Sequence, residues 1–168
     1  MKKLIIILGA NGIGKSTAAA ELMRILPNSA FVDSDSLRMM NPGGNSAELI
    51  QIQKANIITV MSNYFRSDMI ENVIFPFGIH GHRERMLEEI ISSISEKFEV
   101  KIFKIVLVCN ESENIRRMKL DNLDEERIKR ALKFSRPVYD ELDLVKLDIS
   151  ELTPRQAALD IIDTMKLQ

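Results

Sequence analysis

At 168 residues the chain is long enough for one compact domain and too short for two of ordinary size. Apolar residues make up 45% and charged residues 28%, a globular balance that excludes collagen-like, coiled-coil and wholly disordered chains. With 23 basic against 24 acidic side chains the net charge is −1, which leaves no basic field for duplex nucleic acid and no polybasic run for a membrane surface.

In chain order, Lys3–Leu8 is a nearly continuous Ile and Leu run, the pattern of a strand buried on both faces. Ser16–Ile25 reads as a helix that stops before Pro27-Asn28, and Ala30–Asp33 as a short strand closing in Asp33-Ser34-Asp35. After the break at Asn41-Pro42-Gly43-Gly44, Asn45 with Glu48 predicts a capped helix running to about Met69. Asn72–Phe77 is a third strand, Arg83–Glu96 a helix and Val100–Val108 a fourth strand. Asn110 with Glu113 caps the next helix, and the charged stretch from Lys119 to Arg136 predicts a hinged helical lid, about 119–136. Leu142–Leu147 reads as the fifth strand, and Thr153-Pro154-Arg155-Gln156 combines an N-cap, a proline in the first turn and a capping Gln ahead of the last helix. Strands separated by helices pair in parallel through right-handed crossovers, so the expected fold is a three-layer α/β/α domain over residues 1–168.

A lone cysteine, Cys109, makes no internal disulfide and reads as a structural thiol, and no Cys/His cluster has zinc spacing. No apolar run approaches the roughly 20 residues of a membrane span, and Gly9 to Lys15 interrupts any signal-peptide core after Met1-Lys2-Lys3. A cytoplasmic protein is expected. Without Trp and with only 5% aromatics, a stacking platform for single-stranded nucleic acid is not expected either.

Gly9-Ala10-Asn11-Gly12-Ile13-Gly14-Lys15-Ser16 satisfies G-x-x-x-x-G-K-[ST] at every fixed position and lies between a buried strand and a helix. Such a loop turns its amides onto phosphate oxygens, and the helix that follows presents free N–H groups and its positive end to the same anion. Lys15 reaches the β- and γ-phosphates, Ser16 ligates Mg²⁺, and Thr17 adds an α-phosphate contact. The guanine-reading N-K-x-D of switch GTPases is absent, and neither Asn72–Phe77 nor Ile105–Asn110 ends in an acidic pair as motor and oligomeric ATPases require.

The phosphate loop, the strand end Phe31-Val32-Asp33-Ser34-Asp35 and the stretch Arg136-Pro137-Val138-Tyr139-Asp140-Glu141-Leu142 resemble the small P-loop metabolite kinases, the group that includes shikimate, gluconate and adenylate kinases. The resemblance covers nearly the whole chain. It implies a five-stranded parallel sheet of order 2-3-1-4-5, a helical lid, and ATP with Mg²⁺ as phosphoryl donor. By that similarity Asp33 faces the metal's water shell and Asp35 the acceptor hydroxyl, whose proton it takes; the alternative is an Asx turn that caps the next helix. Arg117, four residues after Glu113, falls beside adenine; Arg127 or Arg130 approaches the transferred phosphate, and Arg136 the acceptor.

Arg83, in Arg83-Glu84 after the third strand, fits an anionic part of the acceptor, and Arg38 is a second acceptor-side candidate. His80 and His82 lack a third partner for a metal and read as loop or substrate-contact residues. Gly78-Ile79-His80-Gly81 matches neither the glycine triplet of shikimate kinases nor the Asp-Gly of nucleoside monophosphate kinases, so the acceptor stays open. The expected activity is Mg-ATP-dependent phosphoryl transfer to a hydroxyl of a small metabolite, with Lys15, Asp35, Arg127 and Arg130 as the reacting-centre residues. The alternatives are a nucleoside or nucleotide kinase and a regulatory ATPase without a small-molecule acceptor. A monomer or a homodimer is expected, with no membrane partner.

Overall fold

The computed structural model describes residues 1–167. Its centre is β1 (Lys2–Leu8), whose alternate residues enter opposite cores because successive strand side chains point to opposite faces. Leu4, Ile6 and Leu8 pack with α2 (Ala47–Arg66) and α3 (Arg83–Ser95) through Ile57, Met61, Phe65, Met86, Ile90 and Ile94. Ile5 and Ile7 pack with α1 (Lys15–Ile25) and α7 (Pro154–Met165) through Ala18, Leu22, Ala158 and Ile161. A strand covered on both faces has no polar side to offer, which is why β1 is written almost wholly in Ile and Leu.

The sheet is parallel, in the order β2-β3-β1-β4-β5. Its other strands are β2 (Ser29–Phe31), β3 (Asn72–Pro76), β4 (Val100–Val108) and β5 (Lys146–Asp148). Ile5 stands opposite Ile74 on one side and Phe103 on the other. The order change around β1 puts the carboxyl ends of β1 and β3 beside a crevice, where open α/β sheets hold ligands. No helix of the described residues is long and apolar enough to cross a membrane.

Several boundaries differ from the sequence reading, and those that matter most are at β2, α2 and β5. β2 ends at Phe31 rather than Asp33, although the Val32 amide still donates to the Ile74 carbonyl at 2.9 Å. The chain turns there because Asp33 accepts the Asp35 amide on Oδ1 at 3.0 Å and the Ser36 hydroxyl on Oδ2. α2 is capped by Ser46, not Asn45, and stops at Arg66 where Ser67 is extended. β5 begins at Lys146, not Leu142; Leu142 and Leu144 instead plug the α2–α3 core as irregular chain, and Lys146 Nζ reaches back to the Asp140 carbonyl at 2.8 Å.

The charged stretch after β4 forms α4 (Glu111–Leu120), a turn in which Asn122 has φ 57°, and α5 (Glu125–Arg130) capped by Asp124. α5 continues through a π-helical segment, Ala131–Ser135, into α6 (Arg136–Asp140). Pro137 accounts for the widened turn: it has no N–H for the carbonyl one turn back, and its ring would crowd that oxygen. Met118, Ile128 and Ala131 form a small core of their own, apart from the two that cover the sheet.

Candidate active site

The phosphate loop leaves β1 at Gly9 and enters α1 at Lys15. Gly9 has φ 150°, and a Cβ there would come within 2.7 Å of the Leu107 carbonyl oxygen on β4; at Gly12, φ 70°, it would meet Met118 Cγ at 2.2 Å. The loop therefore lies flush on β4 and α4. Gly9→Ala is expected to cost about 1–3 kcal/mol through backbone strain alone, with the β4 clash added, and urea denaturation at neutral pH reads this directly. Ala10 and Ile13 are buried, so they serve the loop through their backbone, while Asn11 is exposed at its tip. The Asn11 carbonyl accepts from the buried Asn114 side chain of α4 at 2.9 Å.

α1 has Gly14 at its N-cap and no side-chain cap, so its first amides, with the exposed hydroxyls of Ser16 and Thr17, are left for an anion. Lys15 Nζ donates to the Ala10 carbonyl at 2.8 Å. Burial, helped by the nearby positive Arg83 and opposed by Asp35, lowers its pKa to about 8.

Asp33, Asp35, Arg38 and Arg83 line one cleft of about 470 Å³ with Asn11, Gly12, Gly14, Lys15, Ser16 and Thr17. The two aspartates are not equivalent. Both Asp33 oxygens are engaged in the turn, whereas the Asp35 carboxylate is exposed and has no hydrogen bond or ion pair among the described residues. α2 holds this turn through Gln53 Nε2, which donates to the Ser34 carbonyl at 3.1 Å. Arg83 is a strut across the cleft floor: Nε donates to the Gly78 carbonyl at 2.9 Å and Nη2 to Ser34 Oγ at 3.3 Å, with the guanidinium 4.3 Å from the Phe77 ring centroid. Burial pulls its pKa below the usual guanidinium value, although Asp35 opposes the shift.

From the other side the Tyr139 hydroxyl accepts the Ile79 amide at 2.9 Å, so α6 and Arg83 fix the Gly78–Ile79 loop jointly. Tyr139→Phe retains the ring but leaves that buried amide unpaired; the expected loss is about 1–3 kcal/mol, read from the urea midpoint against wild type. His80, which ends this loop, has its pKa lowered by burial and by Arg83, Lys15 and His82, so its imidazole is neutral at pH 7.

Arg117 lies elsewhere, in a recess of about 540 Å³ between α1, α4 and the chain after β5. Its Nε pairs with Glu113 at 2.7 Å, Nη1 donates to the Ile13 carbonyl at 2.7 Å and Nη2 to the Ile149 carbonyl at 2.8 Å. In-plane bonding on all three nitrogens holds the guanidinium rigidly. Hydrogen bonds from Arg116 and Arg117 hold the Glu113 carboxyl down to about 2. Arg127 and Arg130 line neither space but an adjoining chamber that shares Asn11, His80 and Leu123 with the first cleft. Arg136 is turned away, with Nη2 on the Cys109 carbonyl at 2.8 Å and Nη1 buried without a partner. The buried Cys109 thiol is pushed up by desolvation.

Sequence reasoning did not place Gln53, Asn114, Asp121, Leu123 or the Ile149–Pro154 segment at the site, although all of them brace or line these spaces. The segment after β5 had a usable signal, since every strand of a parallel sheet ends on the ligand-binding edge.

The sequence matches no protein-family model and no curated protein. Solved structures do match. The chain superimposes on the Deinococcus radiodurans tunicamycin resistance protein with a TM-score of 0.66 at 14% identity, covering 99% of this chain and 98% of that one. A gluconokinase from Sinorhizobium meliloti 1021 gives 0.64 at 15% identity, covering 98% and 94%. Shikimate kinase from Aquifex aeolicus gives 0.61 at 18% identity, covering 97% and 96%. The chain thus has the fold of the small P-loop kinases over nearly its full length.

Proposed function

We propose that the protein transfers the γ-phosphoryl group of ATP to a hydroxyl of a small metabolite, in a reducing cytoplasm that suits its single thiol. The observation that carries this reading is the unpaired Asp35 carboxylate in the same cleft as Lys15 and Arg83, while its neighbour Asp33 is consumed by the turn. A phosphate-binding loop alone serves hydrolysis as well as transfer. A free carboxylate opposite it is what a hydroxyl acceptor needs to be oriented and deprotonated.

In this reading the loop amides from Gly9 to Lys15 and the start of α1 hold the triphosphate, and Lys15 leaves the Ala10 carbonyl for the β- and γ-phosphates. The adenine lies on the face of Arg117, whose in-plane donors are occupied. Ser16 would hold Mg²⁺ through its exposed hydroxyl, and Asp33, kept in place by its turn bonds, would face the water shell of the ion rather than bind it directly. Mg²⁺ held there would supply neutralisation of the charge on the phosphates. Asp35 takes the proton of the acceptor hydroxyl as that oxygen bonds to the γ-phosphorus, and ADP leaves. Arg38 and Arg83 hold the acceptor. The segment 119–136 closes as a lid that brings Arg127 or Arg130 to the transferred group and excludes water. Arg136 anchors that lid to the end of β4 through the Cys109 carbonyl.

The test is mass-spectrometric: Mg-ATP with a panel of sugars, sugar acids, nucleosides, nucleotides and amino-alcohols, and Lys15→Ala protein as the blank. An acceptor that gains one phosphate with wild type and not with the variant is the expected result. Steady ADP release with no phosphorylated acceptor would replace this reading with that of a regulatory ATPase, whose motivation is a third strand ending in Pro76-Phe77 rather than an acid.

A further inference from the structure

We infer that the acceptor is a two-part molecule, a hydroxyl-bearing portion joined to a planar ring with a polar edge, and that the ring occupies the chamber beneath the π-helical segment. This deepens the phosphotransfer reading and rests on it. The chamber, about 620 Å³, is continuous with the phosphate cleft through Asn11, His80 and Leu123, which line both. The phosphate cleft, at about 470 Å³, has to take the triphosphate and the reacting hydroxyl together, so the rest of the acceptor extends into the chamber.

Its lining has the chemistry of a ring site. Phe134 contributes an aromatic side chain that is 62% exposed, with Lys133 Nζ 5.2 Å from its ring centroid. Leu123 and Ala131 add apolar surface beside it. Asn11, exposed and with no side-chain hydrogen bond among the described residues, and Arg130 offer donors to the polar edge of a heterocycle or a substituted aryl ring. The apolar face stacks on Phe134 whatever the identity of the ring, as stacking is tolerant of ring type. Arg127 is paired with Asp124 at 3.5 Å, and Arg130 has no ion pair among the described residues, which keeps positive charge at the rim. The shared chemistry of the ligand is a ring-substituted polyol, a class that contains nucleosides and aryl glycosides.

The experiment uses the full chain with Mg-ATP and three separate arms: nucleosides, aryl glycosides, and ring-free sugars with sugar acids. Each is assayed by phosphate gain and, independently, by saturation-transfer NMR of binding, with wild type and Phe134→Ala. The expected result is phosphorylation in a ring-bearing arm, with acceptor KM about tenfold higher in Phe134→Ala and the ring signal lost from the NMR spectrum. Phe134 is largely exposed, so the variant is expected to keep the wild-type unfolding midpoint. Ring-free acceptors phosphorylated with equal or greater kcat/KM, or an acceptor KM insensitive to Phe134→Ala, would overturn the inference and leave phosphotransfer standing. No phosphate gain in any arm, with ring binding that depends on Phe134, would remove the phosphotransfer reading and keep the chamber. Neither transfer nor ring binding would remove both.

Discussion

Lys15→Ala is expected to lower phosphoryl transfer by about a thousandfold, because in the proposed reaction its ammonium, which lines the cleft with Arg38 and Arg83, is the one carried by the phosphate loop itself and meets both the donor phosphates and the developing charge. The structure adds a pH signature. In the free protein, burial and the positive Arg83 lower this group's pKa from 10.5 to about 8. A triphosphate raises it again, so nucleotide binding at pH 8.5 takes up a large fraction of one proton, whereas binding at pH 6.5 takes up almost none. Calorimetry in buffers of different ionisation enthalpy measures the difference, and Lys15→Ala abolishes it. The same shift fixes the sign of a stability effect. The unfolded chain binds more protons than the folded one between pH 8 and 10.5, so this residue's contribution to stability improves as pH rises through that window. Proton uptake that persists in Lys15→Ala would assign the titration to another group.

Asp35→Asn is expected to slow transfer by about a hundredfold or more while leaving ATP affinity within a few-fold of wild type. The amide keeps the side chain's size at an exposed position whose carboxylate makes no hydrogen bond among the described residues, so folding gives no reason for the loss. Asp33→Asn is the informative companion. It weakens the turn held by the Asp35 amide and Ser36 hydroxyl, and its effect falls on stability and Mg²⁺ dependence together. Single-turnover transfer and equilibrium binding of a fluorescent ATP analogue separate the two. Full transfer activity in Asp35→Asn would remove that carboxylate from the reacting centre.

The parts of the fold that were legible in the sequence are those governed by local physics. β1 and β3 announce themselves because strands covered on both faces are written in apolar runs, and β4 because its alternation passes into one. The Thr153–Gln156 capping box starts α7 as read, with both reciprocal bonds formed. The short edge strand β5 lies elsewhere than read for a reason that is not local, whereas β2 ends early through the local turn at Asp33. Leu142 and Leu144 are apolar because a core needs them, and no periodicity distinguishes a leucine that plugs a core from one that pairs in a sheet. Likewise Ser46, not Asn45, caps α2, although both residue types suit the position.

For the site, the amino-acid sequence by itself determined the phosphate loop, since its backbone conformations and the amides at the head of α1 demand glycines, Lys15 and Ser16 at set spacings within one short segment. It also brought forward Asp33 and Asp35, whose position at a strand end is local. It could not divide the labour among chemically identical side chains. Only the tertiary structure decided that Asp33 is spent on its own turn, that Arg117 is locked in plane by three partners, that Arg83 bridges Gly78 and Ser34, and that Arg136 grips the Cys109 carbonyl while Arg127 and Arg130 border a separate chamber. A guanidinium's role is set by which carbonyls and carboxylates lie within about 3 Å of its donors. Those neighbours come from strands and helices remote in the chain, so only the packed fold selects them.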